Sequence, residues 1–272
     1  MSKKIISQEE YRADPALSSS DLKNILDMPY QWRTGTIPEP SEATKESMLL
    51  GTLFHAMILE PDTIDEHFVV RPEFNRRTKE GKIAYEDFIE QNADRHIISQ
   101  EQADTARAMF ESLRDENLLG LFEGGENEHS FFGEYEGIKV KCRPDFYLES
   151  QGVIIDLKSI RQGGASKDSF ERQIHSLKYH LQASHYLRIT GAQKFYFCVV
   201  EKVTPYMIGI YELSEADIRL GDALCKKAID MYKRIEDFKR VVTFDSITKS
   251  SVALAQLPIY AYTQAGIDPN SI

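Results

Sequence analysis

The sequence predicts a mixed fold of the α/β or α+β class, in which a central mixed sheet is flanked by helices and preceded by an N-terminal helical region. Apolar residues recur at helical spacing in the first third of the chain, whereas the middle carries short alternating and apolar runs typical of strands. The predicted order is helices, then β-β-β-α-β-β, then a final helix. With 272 residues, 42% of them hydrophobic, the chain can form one large domain or a core with an appended piece.

Four helices are predicted in the first third. N-capping serines at 18–20 begin a short helix that ends before Pro29. The apolar spacing then predicts helices over 45–60, 80–93 and 99–118.

The middle of the chain predicts the sheet. Strands are expected over 130–135, 138–148, 153–160, 194–202 and 206–213. One long helix is expected over about 169–189, and a last helix from the cap at 214 to about 240. We therefore expect a helical region over 1–120 that contributes Gly51 and His55 to a site, a core over 121–240 and a tail over 241–272, all within one compact domain.

Composition excludes several classes of protein. No apolar run approaches the ~20 residues of a membrane span, and no secretory signal is visible at the start. Three widely spaced cysteines argue against a disulfide framework and a structural zinc site and suit a reducing cytoplasm. The net charge of -10 argues against binding DNA through a generally basic surface, although cations could still line one groove.

The most informative segment is a predicted hairpin centred on residues 150–151. This register places Asp145 opposite Asp156, and Arg143 opposite Lys158, on one face of the strand pair. Two carboxylates directly across a strand pair repel each other, and a divalent cation between them removes the penalty. Lys158 shares the face of Asp156 and could orient or help deprotonate a water, so the group suits phosphodiester hydrolysis. The alternative is a solvated hairpin face with a local ion-pair cluster.

Two helical motifs could add to this site. Gly51 and His55 are four residues apart on a predicted helix, where the glycine would let another backbone approach and the histidine could reach a metal. Gln182 and Tyr186 have the same spacing on a later helix, with Lys178 one turn earlier, and could contact a phosphate or the attacking water. The alternatives are an ordinary helical histidine and a polar helix stripe.

A cluster of cations precedes the third predicted helix. Arg76, Arg77, Lys79 and Lys82 could hold a DNA backbone, because such contacts supply the sequence-independent part of DNA binding. The alternative is a solvated helix start.

Taken together, these motifs resemble the PD-(D/E)XK nuclease superfamily over nearly the whole chain. The residues that match its D…(D/E)-x-K core are Asp145, Asp156, Leu157 and Lys158, and those that match the additional motifs of its RecB-like branch are Gly51, His55, Gln182 and Tyr186. Within that branch the chain is most similar to the nuclease domain of the exonuclease VIII (RecE) type. Its second acidic residue is Asp where Glu is commoner, which shortens the reach by one methylene.

The resemblance implies a restriction-endonuclease-like core and an exonuclease that degrades linear double-stranded DNA 5′ to 3′, leaving 3′ tails for recombination. It implies Mg²⁺, for which Mn²⁺ could substitute, a ring-shaped homo-oligomer, and a single-strand annealing protein of the RecT type as partner. It also implies a bacterial or phage-encoded protein of the cytoplasm.

The resemblance also assigns roles. Metal ligands would be Asp145, Asp156, the Leu157 carbonyl and His55; Lys158 would act on the water, and Gln182 and Tyr186 would position the substrate. The acidic net charge further suggests that a ring would line its channel with Arg76, Arg77, Lys79, Lys82 and Arg143. Two alternatives remain: another RecB-like nuclease, either a single-strand exonuclease or an endonuclease, and a non-catalytic module that binds DNA ends.

Overall fold

The computed structural model describes residues 2–237, so the predicted tail over 241–272 and the end of the last predicted helix lie outside the described residues. The helices are α1 (Gln8–Ala13), α2 (Ser19–Asp27), α3 (Pro29–Thr34), α4 (Glu42–Leu59), α5 (Ile64–His67), α6 (Lys79–Gln91), α7 (Gln100–Asp115), α8 (Lys167–Ser176), α9 (Tyr179–Thr190) and α10 (Glu215–Asp237). The strands are β1 (Ser2–Lys4), β2 (Phe68–Val70), β3 (His96–Ile98), β4 (Glu126–Asn127), β5 (Ser130–Tyr135), β6 (Ile138–Cys142), β7 (Phe146–Leu148), β8 (Val153–Ile160), β9 (Lys194–Glu201) and β10 (Ile208–Glu212).

A five-stranded mixed sheet in the order β10-β9-β8-β7-β4 forms the centre of the fold. Strands β8 and β9 are parallel, and the other neighbours are antiparallel. Parallel neighbours need a crossover, which α8 and α9 supply. A second sheet has the order β1-β5-β6, and β2 pairs with β3 in a small parallel sheet. The predicted class, a mixed sheet flanked by helices, is confirmed.

The predicted register of the hairpin is confirmed. Strand β7 pairs with β8 so that Phe146 lies opposite Ile155 and Leu148 lies opposite Val153. Asp145 comes directly before β7, so it sits at the level of Asp156 although it is outside the ladder.

The prediction of one continuous strand over 138–148 is wrong at residues 143–145, which separate two strands. Strand β6 ends at Cys142 and pairs with β5, while β7 pairs with β8, and the chain changes sheets in between. Pro144 lacks the N–H that a continuous strand would use. Arg143 therefore does not lie opposite Lys158: its guanidinium turns toward the N-terminal segment and donates to the Ile6 carbonyl at 2.8 Å.

The single long helix predicted over about 169–189 is also wrong, because α8 and α9 are separate helices. Lys178 stands between them with a φ of 51°, in the left-handed region that a non-glycine residue rarely adopts. An ion pair to Asp27 at 2.7 Å holds it there. Lys178 thus precedes α9 and is not part of a helical row with Gln182.

The N-terminal region is less purely helical than predicted. Strands β1, β2 and β3 and the short helices α1, α3 and α5 were not expected, whereas α2, α4, α6 and α7 lie where helices were predicted. Ser18 caps α2 with a reciprocal capping box to Asp21.

Apolar residues cover both faces of the hairpin. Tyr147 and Ile154 belong to the core formed with α2, α9 and α10, whereas Ile155 and Leu157 belong to the core formed with α4 and α7. The interpretation as a solvated hairpin face is therefore wrong, since Asp156 is only 1% exposed. None of the helices within residues 2–237 has both the length and the apolar character of a membrane span.

Candidate active site

Asp156 is a buried carboxylate in the middle of the central sheet. It lies on β8, between β7 and β9, and its Oδ1 accepts a hydrogen bond from Gln182 Nε2 at 2.8 Å. The ammonium of Lys158, two residues along the same strand, contacts Oδ2. Within residues 2–237, that oxygen is buried and accepts no hydrogen bond of ordinary geometry. Such a buried acceptor is costly unless a cation satisfies it.

Asp145 approaches Asp156 from the neighbouring strand. Its Oδ2 accepts a hydrogen bond from the Leu157 backbone N–H at 2.7 Å. The side chain therefore replaces a backbone carbonyl acceptor at the position just before β7. His55 Nδ1 lies 3.7 Å from the same oxygen. Three residues predicted for the site are thus gathered by α4, β8 and the residue before β7.

His55 reaches this place because α4 passes close to β8. A Cβ added at Gly51 would lie 2.9 Å from the Ser159 hydroxyl oxygen, so a glycine one turn before His55 permits the approach. The group that approaches Gly51 is the Ser159 side chain, not the backbone that the sequence suggested.

Burial and the proximity of like charges disfavour the ionised carboxylates of the site. Burial raises the pKa of Asp156, and the charge of Asp145 raises it further, although Lys158 opposes both effects. Burial also raises the pKa of Asp145. Burial alone would lower the pKa of Lys158, but the two carboxylates more than offset it and raise that pKa. Partial burial lowers the pKa of His55 to about 4, so the imidazole is neutral at pH 7, the form that binds metals.

The two predicted residues on α9 are placed differently. Gln182 reaches Asp156, as described above, whereas Tyr186 packs its ring edge against Phe195 with centroids 6.0 Å apart. Tyr186 is 8% exposed, and burial raises the pKa of its hydroxyl. The structure therefore brings Gln182 into contact with a carboxylate and holds Tyr186 in the apolar core one turn later.

The predicted DNA-contacting residues fall into two groups. Arg76, Arg77, Lys79 and Lys82 are exposed around the start of α6, without salt-bridge partners in the described part of the chain. The Arg76 guanidinium lies 4.5 Å from the centre of the Tyr85 ring. Arg143, by contrast, is largely enclosed and forms a salt bridge to Glu128 at 3.1 Å.

Sequence reasoning missed three residues beside the carboxylates. Lys23 of α2 and Lys158 both face the ring of Tyr179, with Nζ 5.2 Å and 5.1 Å from its centre. Burial and the charge of Asp145 raise the pKa of Glu128 to about 8. Tyr179 lies three residues before Gln182 on one helix, so the sequence held a signal for it, whereas Glu128 is placed by tertiary packing alone.

The donors suit a divalent metal ion in kind. Two carboxylates, a neutral imidazole and the Leu157 carbonyl are ligands that such ions accept, and the buried Asp156 Oδ2 lacks a regular hydrogen-bond donor. They are not closed into a ready cluster: within residues 2–237 no three His, Cys, Asp or Glu side chains are arranged to hold a metal. The Lys158 ammonium supplies the positive charge beside Asp156.

Two carboxylates and a lysine at the junction of β7 and β8, backed by helices on both faces, define the PD-(D/E)XK nuclease fold class. A family model described as a PDDEXK-like domain of unknown function (DUF3799) matches residues 18–241, and the chain belongs to that family. Nucleases of this fold class generally use divalent metal ions. A search of curated proteins finds no match.

One solved structure supports the fold, and a second is less similar. A candidate exonuclease from Eubacterium rectale superposes with a TM-score of 0.60 at 16% identity, and the match covers 97% of this chain and 100% of that one. A phage-related exonuclease from Haemophilus somnus 129PT matches at 13% identity over 84% of this chain and 98% of that one. Its TM-score is 0.36, too low to carry an argument.

Proposed function

We propose that this protein is a metal-dependent deoxyribonuclease that hydrolyses phosphodiester bonds. The observation that carries the proposal is the contact of Lys158 with the buried Asp156, beside Asp145, because buried charges with shifted pKa values cluster at functional sites. Buried carboxylates with raised pKa values are costly in the free protein and become favourable when a cation binds between them. The exonuclease name carried by the Eubacterium rectale protein adds support.

More specifically, we propose an exonuclease of the exonuclease VIII (RecE) type that degrades linear duplex DNA 5′ to 3′ with Mg²⁺ or Mn²⁺. The 3′ single-stranded tail would pass to a single-strand annealing protein of the RecT type during recombination. Support for these finer points comes from the resemblance of the sequence motifs and from the metal-binding character of the donors.

Each residue has a proposed role that follows from its position. Asp145, Asp156, His55 and the Leu157 carbonyl would hold the metal, which when bound supplies a Lewis acid and lowers the pKa of water. Lys158 would leave Asp156 and donate a hydrogen bond to the attacking water or to the phosphate. Gln182 keeps Asp156 oriented through its amide. Tyr186 would form part of the wall of the substrate pocket on the side of the core.

Retention of DNA needs positive charge at the binding surface, whereas the chain as a whole is negatively charged. The net charge is -10, and electrostatic screening at physiological salt has a length of about 8 Å, so a monomer would repel duplex DNA at short range. A closed homo-oligomeric ring lined by Arg76, Arg77, Lys79 and Lys82 would resolve this difficulty. Arg143 would not line the channel, because its guanidinium already donates hydrogen bonds to Ile6, Gln8 and Glu128.

The deciding experiment is digestion of linear duplex DNA, labelled at the 5′ or the 3′ end, with and without Mg²⁺. We expect Mg²⁺-dependent release of nucleotides from the 5′ end by wild type, and almost none by Asp156→Asn or Lys158→Met. Asp168→Asn is the matched control, since Asp168 is exposed on α8 and should leave the rate unchanged.

The outcome separates the alternatives. Cleavage of covalently closed DNA would identify an endonuclease, and digestion confined to single strands would identify a single-strand exonuclease. DNA binding without any cleavage under these conditions would contradict the catalytic proposal. Light scattering at micromolar protein tests the ring: a strict monomer that still digests kilobase tracts would overturn it.

A further inference from the structure

Two lysines from distant parts of the chain share one aromatic ring beside the catalytic carboxylates. Lys23 belongs to α2 and Lys158 to β8, and both ammonium groups lie about equally far from the Tyr179 ring centre, at 5.2 Å and 5.1 Å. Tyr179 is fixed from behind by Phe197, with ring centroids 5.7 Å apart. The ring therefore holds two positive charges at one edge of the site.

These charges are not equally neutralised. Lys158 contacts Asp156, and the nearby Lys178 forms an ion pair with Asp27 at 2.7 Å. Lys23 forms no salt bridge within the described residues. Burial, together with the charge of Lys158, lowers the pKa of Lys23 to about 8. An ammonium that is mostly removed from water, beside a second ammonium and without a carboxylate partner, is unfavourable in the free protein.

We propose that Lys23, together with the face of Tyr179, forms a phosphate-binding subsite that contacts the phosphodiester being cut. This proposal rests on the nuclease function proposed above and names a further residue of that site. An anion bound between Lys23 and Lys158 would remove their mutual repulsion. In a nuclease, the phosphodiester that is cut beside Asp145 and Asp156 is such an anion.

The subsite also balances the charge of the reaction. With a divalent metal bound, its two positive charges would offset Asp145 and Asp156, and Lys178 is paired with Asp27. Lys23 and Lys158 would then both have charge left to meet the negative charge that grows on the phosphate in the transition state. The contact of Lys23 with substrate would raise turnover as well as binding.

The test compares wild type with Lys23→Met and Lys23→Gln, which remove the charge with different side-chain shapes. Initial rates are measured on linear duplexes carrying either a 5′-phosphate or a 5′-hydroxyl, across a series of salt concentrations with Mg²⁺. We expect kcat/KM to fall roughly 10- to 100-fold on both duplexes. The slope of log(kcat/KM) against log salt should become shallower by about one. Lys167→Met, an exposed lysine on α8, is the control and should match wild type.

A merely structural role would lower thermal stability without changing the salt slope, and that result would overturn the subsite. Rates equal to wild type would also overturn it, as would a defect confined to the 5′-phosphorylated duplex, which would assign Lys23 to a terminal phosphate instead. If wild type itself cleaves no DNA, the proposed nuclease function fails first, so the two failures are distinguishable.

Discussion

Gln182 donates its side-chain amide to Asp156 across 2.8 Å, from a helix that crosses the sheet after the strand carrying Asp156. The parallel pairing of β8 with β9 requires this crossover, and the crossover brings Gln182 of α9 within hydrogen-bond distance of Asp156. The fold therefore delivers an orienting group to the carboxylate through topology, at a separation of 26 residues.

Replacing Gln182 should weaken catalysis more than binding. Gln182→Ala leaves Asp156 Oδ1 without its donor, and we expect kcat to fall by roughly 10- to 100-fold, the usual effect of losing a group that orients a metal ligand. Gln173→Ala on α8 is the control, since that amide donates to the backbone carbonyls of Gly164 and Ser169 at 3.5 Å. Steady-state kinetics on end-labelled duplex measures both variants; an unchanged kcat for Gln182→Ala would contradict the role.

The two carboxylates should differ in their effect on stability. Asp145→Asn retains an acceptor for the Leu157 N–H and relieves repulsion with Asp156, so stability without metal should stay level or rise. Asp156→Asn leaves the partly buried Lys158 ammonium without its carboxylate partner, so stability should fall. Urea unfolding in the presence of a chelator measures both. Both variants should lose nearly all activity; equal stability losses would show that repulsion between the carboxylates is unimportant.

His185 should make the fold sensitive to mild acid. Burial lowers its pKa to about 4 from the ordinary 6.5, and its Nε2 lies 3.0 Å from the Lys141 carbonyl oxygen. The unfolded chain binds more protons between these two values, so stability is full above pH 6.5 and falls as the pH drops toward 4. The loss from this residue is at most about 3 kcal/mol.

His185→Gln should therefore show a shallower loss of stability between pH 6.5 and 4, measured by urea unfolding at a series of pH values. Part of the slope should remain, because the pKa values of His55 and His180 are also lowered. A slope identical to that of wild type would show that His185 does not titrate in this window.

Gly221 sets the distance between α9 and α10. A Cβ added there would lie 2.1 Å from the His180 carbonyl oxygen, which is backbone and cannot rotate away. Gly221→Ala should therefore destabilise the fold by about 1–3 kcal/mol, although alanine has a better helix propensity than glycine. Gly120→Ala is the control, since nothing lies within 4 Å of the added atom. Chemical denaturation measures both; a stable Gly221→Ala would mean that the helices separate at little cost.

The sequence predicts the sheet and its register because the signals there are local. Alternation and a turn placed Asp145 beside Asp156, and the register found from Phe146 to Leu148 is the predicted one. The spacing of Gly51 and His55 likewise predicted a shared helix face directed at the site. In each case the side-chain period fixes which residues meet.

The sequence did not predict the features that depend on distant partners. The break before α9 rests on Lys178 in a left-handed conformation, held by Asp27 about 150 residues earlier along the chain. The departure of Arg143 from its strand rests on acceptors in the N-terminal segment. Lys23 reaches the ring of Tyr179 because α2 packs on α9. No periodicity encodes these contacts.

The anchoring of Arg143 bears on the order of folding. Its guanidinium reaches Gln8 and Ile6, which are 135 and 137 residues away in sequence, and Asp145 follows two residues after it. Closing so long a loop is slow relative to forming hairpins and helices. During refolding, nuclease activity should therefore return after the sheet has formed, at the rate at which the N-terminal segment docks. After Arg143→Ala is diluted from urea, its circular dichroism spectrum should become native-like. Its recovered activity should be low from the start and should gain no late phase.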